Sequence, residues 1–217
     1  MPLVNTTNQF SILHDHNLPL CFVGHSHYNT VMYDHFSKIR NCVKISLEEL
    51  EHQPESWRDR YQFISLQTHI PFKIQVKAVF DRFDIRCFSI CANFAAIGNN
   101  VQVGYNVIVD QFALLWDDCV VGDFTNITCH ATVAHGTAIG SCCHISPYAH
   151  LCYVTCGDNV FVGNAAFVWA TKHSPIEVCE GVNIQAFSRV LQNIDTPGTY
   201  YSNRLVDARA STELILQ

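Results

Sequence analysis

The chain has 217 residues, a hydrophobic fraction of 48% and a formal net charge of −6. That length suits one large domain or two small ones, with enough chain for a real core. The acidic balance and the lack of a basic stripe exclude nucleic acid as an expected partner, and no apolar run approaches membrane-spanning length. The N-terminus Met1-Pro-Leu-Val-Asn5 has no charged segment ahead of an apolar one, so no signal peptide and no membrane span are expected, and the location reads as cytoplasmic.

Residues 1–90 alternate strand and helix patterns. Pro19 to Gly24 reads as a buried strand running into a turn, and Tyr28 to Ile39 as a helix with Val31, Met32, His35 and Phe36 on one side. Asn41 to Ser46 is a second strand, with Ser46 placed to cap a helix starting at Leu47. Tyr61 to Leu66 gives a third strand, Pro71 to Phe83 a further helix, and Ile85 to Ile90 a fourth strand. This alternation predicts a small α/β domain with a parallel sheet.

From residue 91 a different period takes over. An aliphatic residue recurs every sixth position from Ile97 through Val103, Val109, Leu115, Val121, Ile127, Val133, Ile139 and Ile145 to Leu151. Four residues after each sits a small or β-branched residue, among them Val107, Ala113, Cys119, Thr125, Ala131 and Cys143. A period of six fits neither a helix nor an ordinary strand. It fits a three-sided coil in which each short side turns one large and one small residue inward, with glycine or a short polar residue at the corners. Residues 91–217 are therefore predicted to be an all-β parallel β-helix of hexapeptide repeats. A loop at Lys172-His-Ser-Pro175 interrupts it, Asp195 to Gly198 ends it, and Thr212 to Gln217 reads as a short strand or frayed tail.

The eleven cysteines are odd in number and form no CxxC, and Cys119 and Cys143 fall on inward positions, so they read as packing residues in a reducing compartment. Histidine is absent from the repeat until His130; His130, His135, His144 and His150 then follow in quick succession. His135 and His144 fall on neither inward position, which projects them outward or onto corners. An outward imidazole in a cleft can act as a general base, while the plainer alternative is an ordinary surface or interface histidine.

The stretch Ala134-His135-Gly-Thr-Ala-Ile-Gly140-Ser-Cys-Cys-His144-Ile-Ser-Pro147-Tyr-Ala149, continued by Gly157-Asp-Asn-Val-Phe-Val-Gly163, resembles the active-site region of the bacterial sialic-acid O-acetyltransferase/bacillosamine N-acetyltransferase family. The resemblance implies a Rossmann-like form for the small α/β domain, a left-handed β-helix, a homotrimer and transfer of acetyl from acetyl-CoA to an amino sugar, nucleotide-linked, with no metal. It implies His135 as general base and His144 as a contact to acceptor or acetyl-CoA, with the pantetheine arm near Gly140 and Gly163. The turn Gly24-His25-Ser26-His27 stands where the family binds the nucleotide, which makes Ser26 and His27 candidate contacts. Departures are plain: Gly136 replaces the acidic residue that commonly follows the base, leaving Asp117 or Asp118 as candidates to orient it; Gln67-Thr68-His69 replaces a Gly-Asn pair; and the usual Gly-x-Pro-Ala near the C-terminus is missing. The alternatives are a non-catalytic β-helix trimer, sugar O-acetylation, and a γ-type carbonic anhydrase, for which no third histidine lies between His69 and His130.

Overall fold

A computed structural model describes residues 10–207. Its first part is a parallel three-stranded sheet in which Leu20–Val23 lies between Cys42–Ile45 and Gln62–Ile64. The helices are α1 (His27–Phe36), α2 (Leu47–His52), the short α3 (Glu55–Arg58) that the sequence pattern did not indicate, and α4 (Ile70–Arg82). Ser46 caps α2 through a reciprocal pair: the Glu49 backbone N–H donates to Ser46 Oγ (3.0 Å), and the Ser46 N–H donates to the Glu49 carboxylate (2.6 Å).

The expected fourth strand differs. Only Cys87 bridges to Phe63. The strand proper is Ser89–Ala92, which pairs with Phe10–Leu13 and Ile108–Val109 and so belongs to the coil. Its run of inward-facing apolar residues is satisfied as well by the coil interior as by the α/β sheet, and the pattern alone does not distinguish them.

The coil has three sides, taken in the order first, second, third along the chain. Strands Ile108–Val109, Asn126–Ile127, His144–Ile145, Phe161–Val162 and Val182–Ile184 stack on the first side. Leu114–Leu115, Thr132–Val133, His150–Cys152 and Phe167–Trp169 stack on the second; Gln102–Val103, Val120–Val121, Ala138–Ile139 and Val154–Cys156 stack on the third. Asn126 lies opposite His144, Thr132 opposite His150 and Val120 opposite Ala138, so one turn takes 18 residues, three hexapeptides. The repeat residues from Val107 to Leu151 form one buried column, whereas Ile97, in the first turn, stays 40% exposed.

The corners are not turned by glycine, with one exception. Asn100, Asn106, Phe112, Asp118, Phe124, His130, Gly136, Cys142 and Tyr148 all take a left-handed backbone, with φ between 54° and 61°. Gly122 and Gly140 serve another purpose: a Cβ on Gly122 would stand 2.6 Å from the Gly140 carbonyl carbon, and one on Gly140 would stand 2.6 Å from that of Gly157. Successive turns touch there backbone to backbone, and only a hydrogen side chain fits.

The repeat also runs further than its pattern. Gly198–Tyr201 adds a parallel strand beside Val182–Ile184 and folds back as a hairpin with Arg204–Asp207, so Tyr200 closes the column. Thr212 to Gln217 lies outside the described residues. All eleven cysteines are free thiols. Burial pushes the Cys143 thiol up to about 12 and the Cys142 thiol up to about 11, which leaves them as protonated packing groups.

Candidate active site

The α/β layer sits on the first side of the coil and is held by named contacts. Asn106 makes two hydrogen bonds to the Ser65 backbone, accepting from its N–H at 2.6 Å and donating to its carbonyl at 2.9 Å. Asn126 donates to the Gln67 carbonyl (2.9 Å), Lys73 Nζ to the Cys143 carbonyl (2.5 Å) and Tyr28 to the Asp110 carboxylate (2.8 Å). Ile108 fills the gap among Leu20, Phe22 and Phe88. The hexapeptide positions that carry these residues point outward from the coil, yet they are buried, because a second layer covers them.

His144 belongs to this covered face. It is only 7% exposed, its ring stacks on Phe161 (5.3 Å between centroids, 6° between planes), and its Nδ1 is buried without a partner. Desolvation, with Lys73 nearby, pushes it down to about 3, so the imidazole is neutral. Lys73 was not singled out by the sequence reading. It is fully buried on α4 with no carboxylate beside it among the described ion pairs, and desolvation brings its amino group down to about 7.

These two groups set a pH dependence of stability. Lys73 falls from 10.5 to about 7 on folding and His144 from 6.5 to about 3, so within each interval the unfolded chain binds more protons and stability rises with pH. The unfolding midpoint is expected to climb between about pH 3 and 6.5, and again between about pH 7 and 9, with a limiting slope of about 1.4 kcal/mol per pH unit for each proton. Above about pH 9 the buried thiols, raised on folding, act with the opposite sign. Lys73→Met should abolish the second climb in denaturant titrations; a climb of unchanged slope would refute the assignment. The Cys143 carbonyl keeps a donor in that variant, the Asn126 backbone N–H at 3.0 Å.

His135 lies at the corner between the second and third sides, opposite the side that carries the α/β layer. It is exposed, and its ring packs on Trp116 at 4.5 Å with a 53° tilt. Its carbonyl accepts from the Tyr153 N–H at 3.0 Å. The suggested orienting acids are engaged elsewhere: Asp117 Oδ1 accepts from the Asn99 backbone (2.6 Å) and Asp118 Oδ1 from Asn100 Nδ2 (3.1 Å), one turn below. Gly136 has φ +60°, and a Cβ there would stand 2.8 Å from Tyr153. His135 and His144 are thus separated within the chain by the whole third side.

The remaining sequence candidates spread over other edges. Gly140 follows the third side and Gly163 the first; both are sites of close turn-to-turn approach, since a Cβ on Gly163 would stand 2.4 Å from the Ala186 nitrogen. Ser26 is the N-cap of α1: its Oγ accepts from the Asn29 N–H (3.0 Å) and donates to the Leu66 carbonyl (2.6 Å). Ser26→Ala is expected to cost about 1 kcal/mol in a urea titration. His27 begins α1 and is exposed beside this turn, at the carboxyl ends of Leu20–Val23 and Gln62–Ile64, where α/β sheets bind ligands. A cavity of about 500 Å³ bordered by Arg58, Phe83 and Tyr105 and another beside Thr199 and Arg204 include none of these residues. Among the described residues no group of three or more His, Cys, Asp or Glu side chains is placed to hold a metal ion, and no helix is long and apolar enough to cross a membrane.

Two aromatic features escaped the sequence reading. Phe94, Phe112, His130 and Tyr148 stack in one exposed ladder along the corner between the first and second sides, with centroids 4.8–5.6 Å apart. His150 stacks on Phe167 (5.3 Å) and Trp169 (5.4 Å). For the ladder the signal was available as ring-bearing residues 18 positions apart; the His150 pair falls 17 and 19 positions on, across the irregular turn.

No family profile matches the chain. "Probable UDP-3-O-acylglucosamine N-acyltransferase 2, mitochondrial" of Arabidopsis thaliana is 31% identical over 105 residues, 48% of this chain and 33% of that protein. UDP-3-O-acylglucosamine N-acyltransferase of Bordetella pertussis is 30% identical over 105 residues, 48% and 27% respectively. The chain thus spans about a third or less of these curated relatives. Among solved structures, the acetyltransferase domain of PglB from Neisseria gonorrhoeae in complex with acetyl coenzyme A matches with a TM-score of 0.75 at 16% identity, covering 88% of this chain and 100% of that one. WeeI from Acinetobacter baumannii matches at 0.75 and 15% identity, covering 86% and 98%. PerB from Caulobacter crescentus in complex with CoA and GDP-perosamine matches at 0.53 and 16% identity, covering 85% and 89%. At these identities the likeness is one of fold.

Proposed function

We propose that this chain, which has the left-handed hexapeptide β-helix fold of the sugar acyltransferase family, is an acetyl-CoA-dependent N-acetyltransferase acting on a nucleotide-linked amino sugar. The observation that carries the reading is the placement of His135, an exposed imidazole on a coil corner, in a fold that matches an acetyl-CoA-bound acetyltransferase domain over that domain's whole length. The acceptor class follows the similar proteins, one acting on UDP-3-O-acylglucosamine and one bound to GDP-perosamine.

In this reading a lone pair of His135 takes the proton of the acceptor amine as its nitrogen attacks the thioester carbonyl. Backbone N–H groups at a corner stabilise the tetrahedral oxyanion. Collapse breaks the C–S bond, and the departing CoA thiolate recovers the proton from the imidazolium. Holding both substrates in register supplies much of the rate gain. His27 and the turn at Gly24 contact the nucleotide phosphates, with the N-terminus of α1 aimed at them. The pantetheine arm follows the edges marked by Gly140 and Gly163, and His144, neutral and nearly covered, meets the ligand only through its remaining edge.

The chain works as a homotrimer in this reading. His135 stands on the coil corner opposite the side that carries the Ser26–His27 turn, so in this reading a neighbouring copy supplies the facing wall of the site. A thiol-release assay with acetyl-CoA and a panel of UDP-, GDP- and dTDP-linked amino sugars tests the activity, and sedimentation at three times the 24.5 kDa chain mass tests the assembly. Free CoA with one acceptor is the expected result. Silence across the panel, with no thermal shift by acetyl-CoA, would favour the second reading, a non-catalytic trimer. The observation on that side is that no carboxylate among the described residues bonds the His135 ring.

A further inference from the structure

The acetyl-transfer reading leaves one gap in the site: a general base needs something to hold its ring and to stabilise the imidazolium it becomes. A carboxylate is the usual partner, and among the described residues of this chain none is placed on the ring. Gly136 occupies a left-handed position, and a side chain there would run into Tyr153 at 2.8 Å from its first carbon. Asp117 and Asp118 point back to Asn99 and Asn100.

What does touch the ring is Trp116, on the preceding turn. Its centroid lies 4.5 Å from that of His135, and the Trp116 backbone N–H donates to the Val133 carbonyl at 2.9 Å, tying residue 116 to the strand that leads into His135. The indole remains 41% exposed, so it is not there to fill the core, whose column is complete without it. An indole face carries negative quadrupolar charge and attracts a cation within about 6 Å of its centroid. Neutral imidazole gains little from that face; imidazolium gains more. The contact therefore strengthens when the base accepts a proton, which is the condition for an interaction to speed the step rather than only bind the ground state.

We infer that Trp116 is the positioning residue of His135: its indole holds the imidazole and stabilises the imidazolium, in the role that a carboxylate otherwise fills. The catalytic consequence rests on the acetyl-transfer reading; the ring contact does not, and the two are tested separately.

The contact is read by fluorescence in a Trp57→Phe, Trp169→Phe background, which leaves Trp116 as the sole indole of the three in the chain. A protonated imidazole in contact quenches indole emission. Emission should therefore be higher at alkaline than at acid pH, a rise that His135→Gln should remove. A rise that survives His135→Gln, or no rise in the parent, overturns the pairing. The kinetic arm compares Trp116→Leu with Trp116→Phe at saturating acceptor. Trp116→Leu should lower kcat about three- to tenfold with little change in KM, and the ring-bearing Trp116→Phe should recover to within about twofold. Equal losses in both variants, or a loss confined to KM, overturn the positioning role. If the wild-type chain transfers no acetyl group while the emission still responds to His135, the functional reading fails and the ring pairing stands.

Discussion

Replacing His135 with alanine is expected to lower kcat/KM for acetyl transfer by about 100- to 10,000-fold, the range for losing a general base. The loss should fall on kcat, because the base acts on the proton that moves in the transition state and contributes little to holding either substrate. The side chain is exposed, so the unfolding midpoint should stay within about 0.5 kcal/mol of the parent. Thiol release under single-turnover conditions, beside a denaturant titration of the same sample, measures both. A variant that retains turnover would remove His135 from the mechanism and with it the main support for the catalytic reading.

Gly140→Ala should destabilise the coil by about 3 kcal/mol, at the upper end of overpacking penalties. The methyl would meet the Gly157 carbonyl carbon and oxygen at 2.6 Å and the Asp158 carboxylate at 2.5 Å. Backbone cannot swing aside as a side chain can. The Gly140 N–H also donates to the Cys156 carbonyl (3.0 Å), and its own carbonyl accepts from Thr125 Oγ1 (2.8 Å), so moving Gly140 breaks bonds to the turns on both sides. Urea unfolding of the variant gives the figure. A change below about 1 kcal/mol would mean that the turns can separate there at little cost, and the close approach would then not explain the glycine.

The two variants divide what earlier looked like one group of site residues. His135 is exposed and does not support the fold, which leaves its imidazole available for the proposed chemistry. Gly140 and Gly163 support the fold by letting successive turns approach backbone to backbone. Ser26 is likewise occupied by capping α1, which leaves His27 and the backbone of the turn as the groups free to meet a phosphate.

The hexapeptide period alone determined the three-sided coil. From Val107 to Leu151 the aliphatic and small positions of the repeat are the buried column, because only one residue size fits each inward position of a narrow prism. Sequence also determined the parallel α/β alternation and the Ser46 cap, since those signals are local: a strand's run of apolar residues, and a hydroxyl three residues ahead of a glutamate. It marked His135 as outward-facing for the same reason, that the register left it no inward place. Only the tertiary structure decided which outward residues are truly exposed. His144 and His135 have equal claims in the pattern, yet one is sealed under α4 and the other stands free, because the α/β layer covers one side of the coil and nothing in a six-residue period says which. The same holds for Lys73, an ordinary helical lysine by sequence and a buried amine in the structure, and for Ser89–Ala92, apolar enough for either sheet. Trp116 and His135 are 19 residues apart in sequence and in contact across one 18-residue turn. A period reports what repeats along the chain; contacts between turns and between layers depend on how the chain closes on itself.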